Sequence, residues 1–123
     1  MKTQLYEKQC IPCQGGVPPL AHDEKKLLLK ELDSAWELID QDKKLQRDFS
    51  FKGMRAPADF TSLVTTMADE QWHHPELVVG FNKFQVRIWT HKIDDLVESD
   101  FIFASKIDLL YIDFIKTLNE SNA

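Results

Sequence analysis

Apolar residues follow different spacings in successive stretches of the chain, and each spacing predicts a different element. Residues 1–21 have no regular spacing and are interrupted by prolines and glycines. We therefore expect an irregular N-terminal arm, followed by one folded domain over residues 22–123. Leucines then cluster between positions 27 and 32, which predicts a first helix. Asp23 stands just before this cluster and is the expected N-cap of that helix.

Two stretches with apolar residues at every second position predict two β-hairpins. The first runs from Trp36 to Phe51 around a polar turn at positions 41–43, and the second runs from Leu77 to Thr90. Between them lies the three- and four-residue spacing of an amphipathic helix. Its apolar positions are Phe60, Leu63, Val64 and Met67.

The final stretch predicts a long helix from Ser99, its expected N-cap, to about Leu118. Its apolar positions cover more than one face, which is typical of a helix that also contacts another subunit. The element order is therefore α-ββ-α-ββ-α. Because each apolar stripe must be buried against the sheet, we predict a single α+β domain. It has a four-stranded antiparallel sheet with the helices packed on one face.

The composition favours a soluble protein without a nucleic-acid or membrane partner. The 123 residues carry a formal net charge of −5, whereas a nucleic-acid surface needs an excess of basic side chains. No apolar run is long enough to cross a membrane and no secretory signal is visible, so we expect a cytoplasmic protein. Cys10 and Cys13 form a C-x-x-C pair, interpreted as reduced thiols in a mobile arm. A zinc site completed by a neighbouring chain is the alternative.

Three of the four histidines stand close together, in the His-His-Pro sequence at positions 73–75 and at His91. Histidine titrates near neutral pH, so such a cluster indicates acid–base chemistry or a metal site. Carboxylates flank both segments, with Asp69 before the first and Asp100 after the second. If the predicted strands pair, the two histidine segments converge at one end of the sheet.

This ordered set of residues resembles the pterin-4a-carbinolamine dehydratase family in its bacterial-type form. The resemblance covers nearly the whole chain and is strongest over residues 45–108. Two positions depart from the family pattern. Phe81 replaces a tyrosine or tryptophan, and Asp95 replaces a glycine. The second change is expected to alter either the geometry of its turn or the affinity for pterin. The motifs that carry the resemblance are Asp69-x-x-x-His73-His74-Pro75, Thr90-His91, Asp100-Phe101, Phe49-x-Phe51-Lys52, Asn82-Lys83-x-x-Val86 and Cys10-x-x-Cys13.

The resemblance implies dehydration of 4a-hydroxytetrahydrobiopterin to quinonoid dihydropterin, a step that recycles the cofactor of aromatic amino-acid hydroxylases. It implies no cofactor and no metal, and a homodimer or homotetramer that allows a hydroxylase as a further partner. By the same resemblance, His73 and His91 form the acid–base pair and His74 binds substrate and takes part in proton transfer. The implied substrate-binding and positioning residues are Asp69, Trp72, Pro75, Trp89, Thr90, Lys92 and Asp100.

Two other classes of function remain open at this level. One is a metal hydrolase that uses His73, His74 and His91 as ligands, although neighbouring residues of an extended chain point in opposite directions. The other is a non-catalytic dimerisation or assembly partner with the same fold, which the broad apolar surface of the last helix would suit.

Overall fold

The computed structural model describes residues 4–10 and 18–121, and the order of its elements agrees with the predicted α-ββ-α-ββ-α. A short 3₁₀ turn, Leu5–Glu7, comes first. The α-helices are α1 (His22–Leu29), α2 (Arg55–Glu70) and α3 (Glu98–Ser121). The strands are β1 (Glu37–Ile39), β2 (Lys44–Ser50), β3 (Glu76–Gly80) and β4 (Lys83–Ile88). Within the described ranges, no helix has the length and apolar content that a membrane span requires.

The four strands form one antiparallel sheet in the order β1-β2-β4-β3. Each predicted hairpin supplies two neighbouring strands. The hairpins join through β2 and β4, where Leu45 lies opposite Ile88 and Phe49 lies opposite Phe84. This register places the apolar members of both alternating patterns on the same face of the sheet.

One face of the sheet is covered by the helices, and the other is open and carries mostly polar side chains. On the polar face, Arg87 donates to Gln46 and Gln85 donates to Asp48. The predicted sheet with helices on one face is therefore confirmed. The buried side chains between sheet and helices are Leu45, Phe49, Phe84, Val86 and Ile88 from the sheet, Phe60 and Val64 from α2, and Phe101, Phe103 and Ile107 from α3.

The beginnings of α1 and α3 differ from the predicted ones. Helix α1 starts at His22, and the N–H of Ala21 donates to the Glu24 carboxylate at 2.9 Å, so Asp23 is not the N-cap. Helix α3 starts at Glu98, which leaves Ser99 inside its first turn. In both helices an acidic side chain in the first turn accepts a backbone N–H from before the helix and closes its N-terminus.

The described part of the N-terminal arm is in contact with the domain. Leu5 and Cys10 are buried within the hydrophobic core, and Lys106 of α3 donates to the backbone oxygen of Tyr6. The interpretation of a mobile arm is therefore wrong for Cys10, because burial of these apolar side chains holds the segment in place. Cys13 lies outside the described residues.

A buried ion pair, here called the Arg47 cluster, lies on the covered face of the sheet. The Arg47 guanidinium contacts the Asp108 carboxylate at 2.6 Å and lies 4.1 Å from the ring centroid of Phe49. Asp108 also accepts the indole N–H of Trp36 at 2.7 Å and the backbone N–H of Asp33 at 3.1 Å. The cluster joins β2 to α3 and to the loop before β1.

Candidate active site

The two histidine segments meet at one end of the sheet, where they form a cleft of about 400 Å³. One side of the cleft comes from the loop between α2 and β3, and the other comes from the chain that follows β4. The sequence motifs therefore come together in space. The lining residues are Trp72, His73, His74, Trp89, Thr90, His91 and Lys92.

The loop after α2 begins with a strained residue at the lip of the cleft. The N–H of His73 donates to the carbonyl of Ala68 at 3.0 Å, and Trp72 has a φ of +58°. This is the left-handed conformation that glycine usually supplies at a helix C-terminus, and it costs a larger residue about 1–2 kcal/mol. The indole of Trp72 is 69% exposed as a result. Strain of this kind is concentrated at binding sites.

Behind the cleft, the carboxylate of Asp100 ties three segments together; we call this group the His73 cluster. Asp100 is fully buried and its Oδ1 lies 3.1 Å from Nε2 of His73. Its Oδ2 accepts the hydroxyl of Thr90 at 2.8 Å and the N–H of Val97 at 2.9 Å. The predicted placement of Asp100 beside a histidine is observed, and Thr90 directs its hydroxyl to Asp100.

Both ring nitrogens of His73 face groups that can only accept a hydrogen bond. Nε2 faces the Asp100 carboxylate, and Nδ1 lies 3.4 Å from the backbone oxygen of Gln71. Burial alone would lower the pKa of His73, but hydrogen bonds to Asp100 and Cys10 and the charge of Asp100 raise it to about 10. These contacts therefore favour the imidazolium form of His73 at neutral pH.

Cys10 is the site neighbour that the sequence did not predict. Its backbone N–H donates to the side chain of Gln71 at 3.2 Å, and its thiol donates to the backbone oxygen of Ser99 at 3.5 Å. Cys10 also contributes, together with Asp100, to the raised pKa of His73. The only signal in the sequence was the C-x-x-C spacing, which says nothing about contacts with residues so far along the chain.

His91 has one ring nitrogen engaged and one ring face covered. Its Nε2 lies 3.0 Å from the backbone oxygen of His74, so this nitrogen carries a hydrogen. In the neutral ring, Nδ1 is then the nitrogen without a hydrogen and can accept a proton. The imidazole stacks on Trp89 at 4.2 Å with 14° between the rings, and Lys44 lies 4.3 Å from the centroid of the same indole.

Other predicted site residues contribute less to this geometry. Asp69 is exposed in the last turn of α2, and its carboxylate makes no hydrogen bond to the described part of the chain. Its predicted role therefore stays a prediction, whereas Asp100 is the carboxylate beside His73. Pro75 is half-buried between the cleft and β3.

No three His, Cys, Asp or Glu side chains among the described residues converge as metal ligands, so a three-histidine metal site gains no support.

Together, the fold and the cleft define a small α+β protein with a histidine-lined pocket at the end of an antiparallel sheet. The family model for pterin 4 alpha carbinolamine dehydratase matches residues 18–110, and the chain belongs to this family.

Relatives and a solved structure cover most of the chain. A protein of Rubrobacter xylanophilus is 44% identical over 108 residues, which are 88% of this chain and 99% of that protein. A protein of Rickettsia bellii is 44% identical over 106 residues, 86% of this chain and 93% of that protein. Both carry the provisional name pterin-4-alpha-carbinolamine dehydratase. The crystal structure of a transcriptional coactivator/pterin dehydratase from Brucella melitensis has a TM-score of 0.70 at 26% identity, covering 76% of this chain and 98% of that one.

Proposed function

We propose that this protein dehydrates 4a-hydroxytetrahydrobiopterin to quinonoid dihydropterin by histidine acid–base catalysis, as a cytoplasmic step of tetrahydrobiopterin recycling for aromatic amino-acid hydroxylation. Family membership supports pterin chemistry. The observation that carries the mechanism is the pairing of two unlike histidines on one cleft. His73 faces two acceptors and holds an extra proton, whereas His91 faces one acceptor and has a nitrogen free to take a proton.

His73 is the proposed acid. As the C4a–O bond of the substrate breaks, the departing hydroxyl needs a proton to leave as water. The imidazolium supplies it from Nδ1, because the contact of this nitrogen with Gln71 is long, at 3.4 Å, while Nε2 stays bonded to Asp100. The electron pair on N5 of the pterin forms the new double bond to C4a.

His91 is the proposed base. The N5 nitrogen loses its hydrogen as the double bond forms, and Nδ1 of His91 accepts it. The net reaction moves one proton from N5 to the leaving oxygen and releases one water. After each turnover His91 releases its proton to solvent and His73 takes one up from solvent. The reaction involves only proton transfer and loss of water, so it requires neither a metal nor a redox partner.

The pterin ring is proposed to bind between the aromatic side chains of the cleft. Trp72 at the lip and Trp89 at the base offer flat apolar surfaces, and His74 and Lys92 offer polar contacts. Pro75 restricts the conformation of the loop between α2 and β3, and Asp69 lies near the start of this loop. Both residues are therefore proposed to support the binding site without contacting the reacting atoms. A bicyclic ring that stacks on an indole gains about 0.5–1.5 kcal/mol beyond its buried area.

A stopped-flow assay with enzymatically generated 4a-hydroxytetrahydrobiopterin tests the proposal. Replacement of His73 or His91 by Ala should lower the rate above background by at least about tenfold, because each change removes one proton-transfer group. His22→Ala is the matched control, since His22 is exposed and pairs with Asp42 away from the cleft. Wild-type rates equal to the uncatalysed reaction, or unchanged rates in both variants, would exclude this mechanism.

A second, compatible function is contact with protein partners. Helix α3 exposes Leu109 and Ile112, of which Ile112 is 61% accessible. The similar protein from Brucella melitensis is named as a transcriptional coactivator as well as a pterin dehydratase. We propose that this surface holds a homodimer or homotetramer and is also available to a hydroxylase that produces the substrate. Ile112→Glu should reduce the molar mass measured by light scattering, and an unchanged mass would argue against this surface.

A further inference from the structure

Lys25 is a charged side chain buried in α1, and it makes two short hydrogen bonds. Its Nζ donates to Oδ1 of Asp95 at 2.7 Å and to the backbone oxygen of Asp42 at 2.8 Å. The side chains of Lys25 and Asp95 are only 7% and 17% exposed. One ammonium group therefore joins the first helix, the turn between β1 and β2, and the segment that follows the cleft residues.

Asp95 closes the turn that carries His91 and Lys92. Its backbone oxygen accepts the N–H of Thr90 at 2.9 Å, and its Oδ1 also accepts the N–H of Leu96 at 2.7 Å. Between these ends, Asp94 takes a left-handed φ of +50°. The turn has no further strand pairing, because Thr90 and Asp95 form an isolated bridge. Its shape therefore depends on how firmly Asp95 is held.

The other end of the turn is already held by the site itself. The Thr90 hydroxyl donates to Asp100, and the His91 ring is bonded to the backbone of His74. Without a firm Asp95, the turn would keep its anchor at Thr90 and the contact of the His91 ring with His74, but its far end would lose its side-chain anchor and His91 would be held less firmly. A buried ammonium that shares a short hydrogen bond with a largely covered carboxylate resists such movement, because either group is unfavourable when it is left without its partner away from water.

We propose that Lys25 and Asp95 are positioning residues for the dehydration reaction, which fix the turn over residues 90–95 and so keep His91 in the orientation needed of the base. This inference rests on the proposed function for its catalytic meaning. Neither residue touches the cleft; they act through the backbone of the turn. Asp95, which stands where the family pattern has glycine, is thus paired with Lys25 of helix α1.

The test compares Lys25→Met, Asp95→Asn and the double variant with wild type. Lys25→Met leaves the Asp95 carboxylate unpaired, and we expect kcat to fall about tenfold with little change in KM, because a misplaced base slows proton transfer without removing the aromatic binding surfaces. The double variant should recover most of this loss, since Asn keeps an oxygen for the Leu96 N–H without a buried charge. Lys26→Met, an exposed neighbour on the same helix, is the matched control and should change neither constant.

A second measurement does not depend on activity. Nitrogen-15 NMR of the His91 ring distinguishes a hydrogen on Nε2 from one on Nδ1, and wild type should show Nε2–H alone, as its bond to His74 requires. Lys25→Met should give a mixture of the two forms, and the double variant should restore the wild-type signal. A ring signal unchanged in Lys25→Met, or a fall in kcat explained entirely by unfolded protein in a thermal melt, would overturn the proposal.

The outcomes also separate this inference from the proposed function. If wild type turns over the pterin but kcat and the His91 signal are unchanged in Lys25→Met, the positioning role is wrong and the dehydratase stands. If wild type has no activity, the dehydratase is wrong. In that case the nitrogen-15 signal of the His91 ring is the only test of whether Lys25 and Asp95 position this side chain. If Lys25→Met does not fold, kcat and the His91 ring signal are compared between wild type and Asp95→Asn, for which a smaller change in both is expected.

Discussion

The Arg47 cluster and the His73 cluster are built in nearly the same way. In each, a carboxylate on α3, the partly buried Asp108 or the fully buried Asp100, pairs with a cation and also accepts one side-chain and one backbone hydrogen bond. The cations differ. Arginine does not lose its proton in proteins, whereas histidine does so readily.

That difference distinguishes an ion pair that only stabilises the fold from one that is proposed to take part in proton transfer. The Arg47 guanidinium is packed over the ring of Phe49 and lines none of the cleft, so its fixed charge can only hold elements together. His73 lines the cleft, and against the effect of burial its contacts with Asp100 and Cys10 raise its pKa to about 10. Two pairs of similar construction are therefore proposed to have different roles, because only the His73 cluster has a titrating cation beside a space for a ligand.

The largest expected contrast between the clusters is their response to pH. Burial lowers the pKa of His73, but Asp100 and Cys10 outweigh it and raise the pKa from 6.5 to about 10. The folded state therefore binds this proton more tightly than the unfolded chain, so the stabilisation is complete below pH 6.5 and is lost as the pH rises through about 10.

Chemical denaturation at several pH values in this window measures the effect. The free energy of unfolding of wild type should decrease with rising pH, and the difference from His73→Gln should shrink toward the alkaline end. The comparison with His73→Gln removes the contributions of other groups that titrate near pH 10. A difference independent of pH would show that His73 is not held as a cation.

The next largest effect is expected when the Arg47 cluster loses its cation. Arg47→Met leaves the Asp108 carboxylate buried without its partner, and the free energy of unfolding should fall by about 3 kcal/mol. Burial already raises the pKa of Asp108, with bonds to Asp33, Trp36 and Arg47 acting against it, so loss of Arg47 raises it further. Urea denaturation gives the stability, and kcat of the folded fraction should stay at the wild-type value. A large fall in kcat would mean that the clusters are coupled.

The corresponding change in the His73 cluster should affect the rate more than the stability. In Asp100→Asn, the amide oxygen can still accept from Thr90 and Val97, but the amide nitrogen faces Nε2 of His73 and cannot accept its hydrogen. The imidazolium loses its counter-ion, and we expect kcat to fall about 100-fold. Asp108→Asn is the matched control on the same helix, with loss of stability and unchanged kcat. Equal rates in the two variants would remove the distinction between the clusters.

The sequence predicts most of the fold because periodicity reports which side of a sheet or helix a residue occupies. The alternation around Phe49 and Phe84 predicted both hairpins and the covered face. The starts of α1 and α3 were predicted wrongly, since they depend on backbone N–H groups that donate to the carboxylates of Glu24 and Asp100. No spacing rule ranks these acceptors above a nearby Asp23 or Ser99.

The proposed site could be read from the sequence to the extent that its residues stand in local motifs. His73 and His91 could be identified that way, and Asp100 could be placed near them. Cys10 and Lys25 could not, because their contacts join residues far apart in the chain, and neither apolar spacing nor a short motif encodes such contacts. The protonation of His73 likewise follows from the acceptors around both its nitrogens, which become visible only in three dimensions.

The smallest predicted effect concerns the tryptophans beside the two clusters. Trp89 stacks on His91, whereas Trp36 donates its indole N–H to Asp108. Trp89→Leu should lower kcat/KM about threefold, because a stacked aromatic pair contributes about 0.5–1.5 kcal/mol and its loss lets the base move. Trp36→Phe should leave kcat/KM unchanged and reduce the free energy of unfolding, since it removes one donor to a buried carboxylate. Steady-state kinetics and denaturation of both variants give the comparison, and a loss of activity in Trp36→Phe as large as in Trp89→Leu would contradict it.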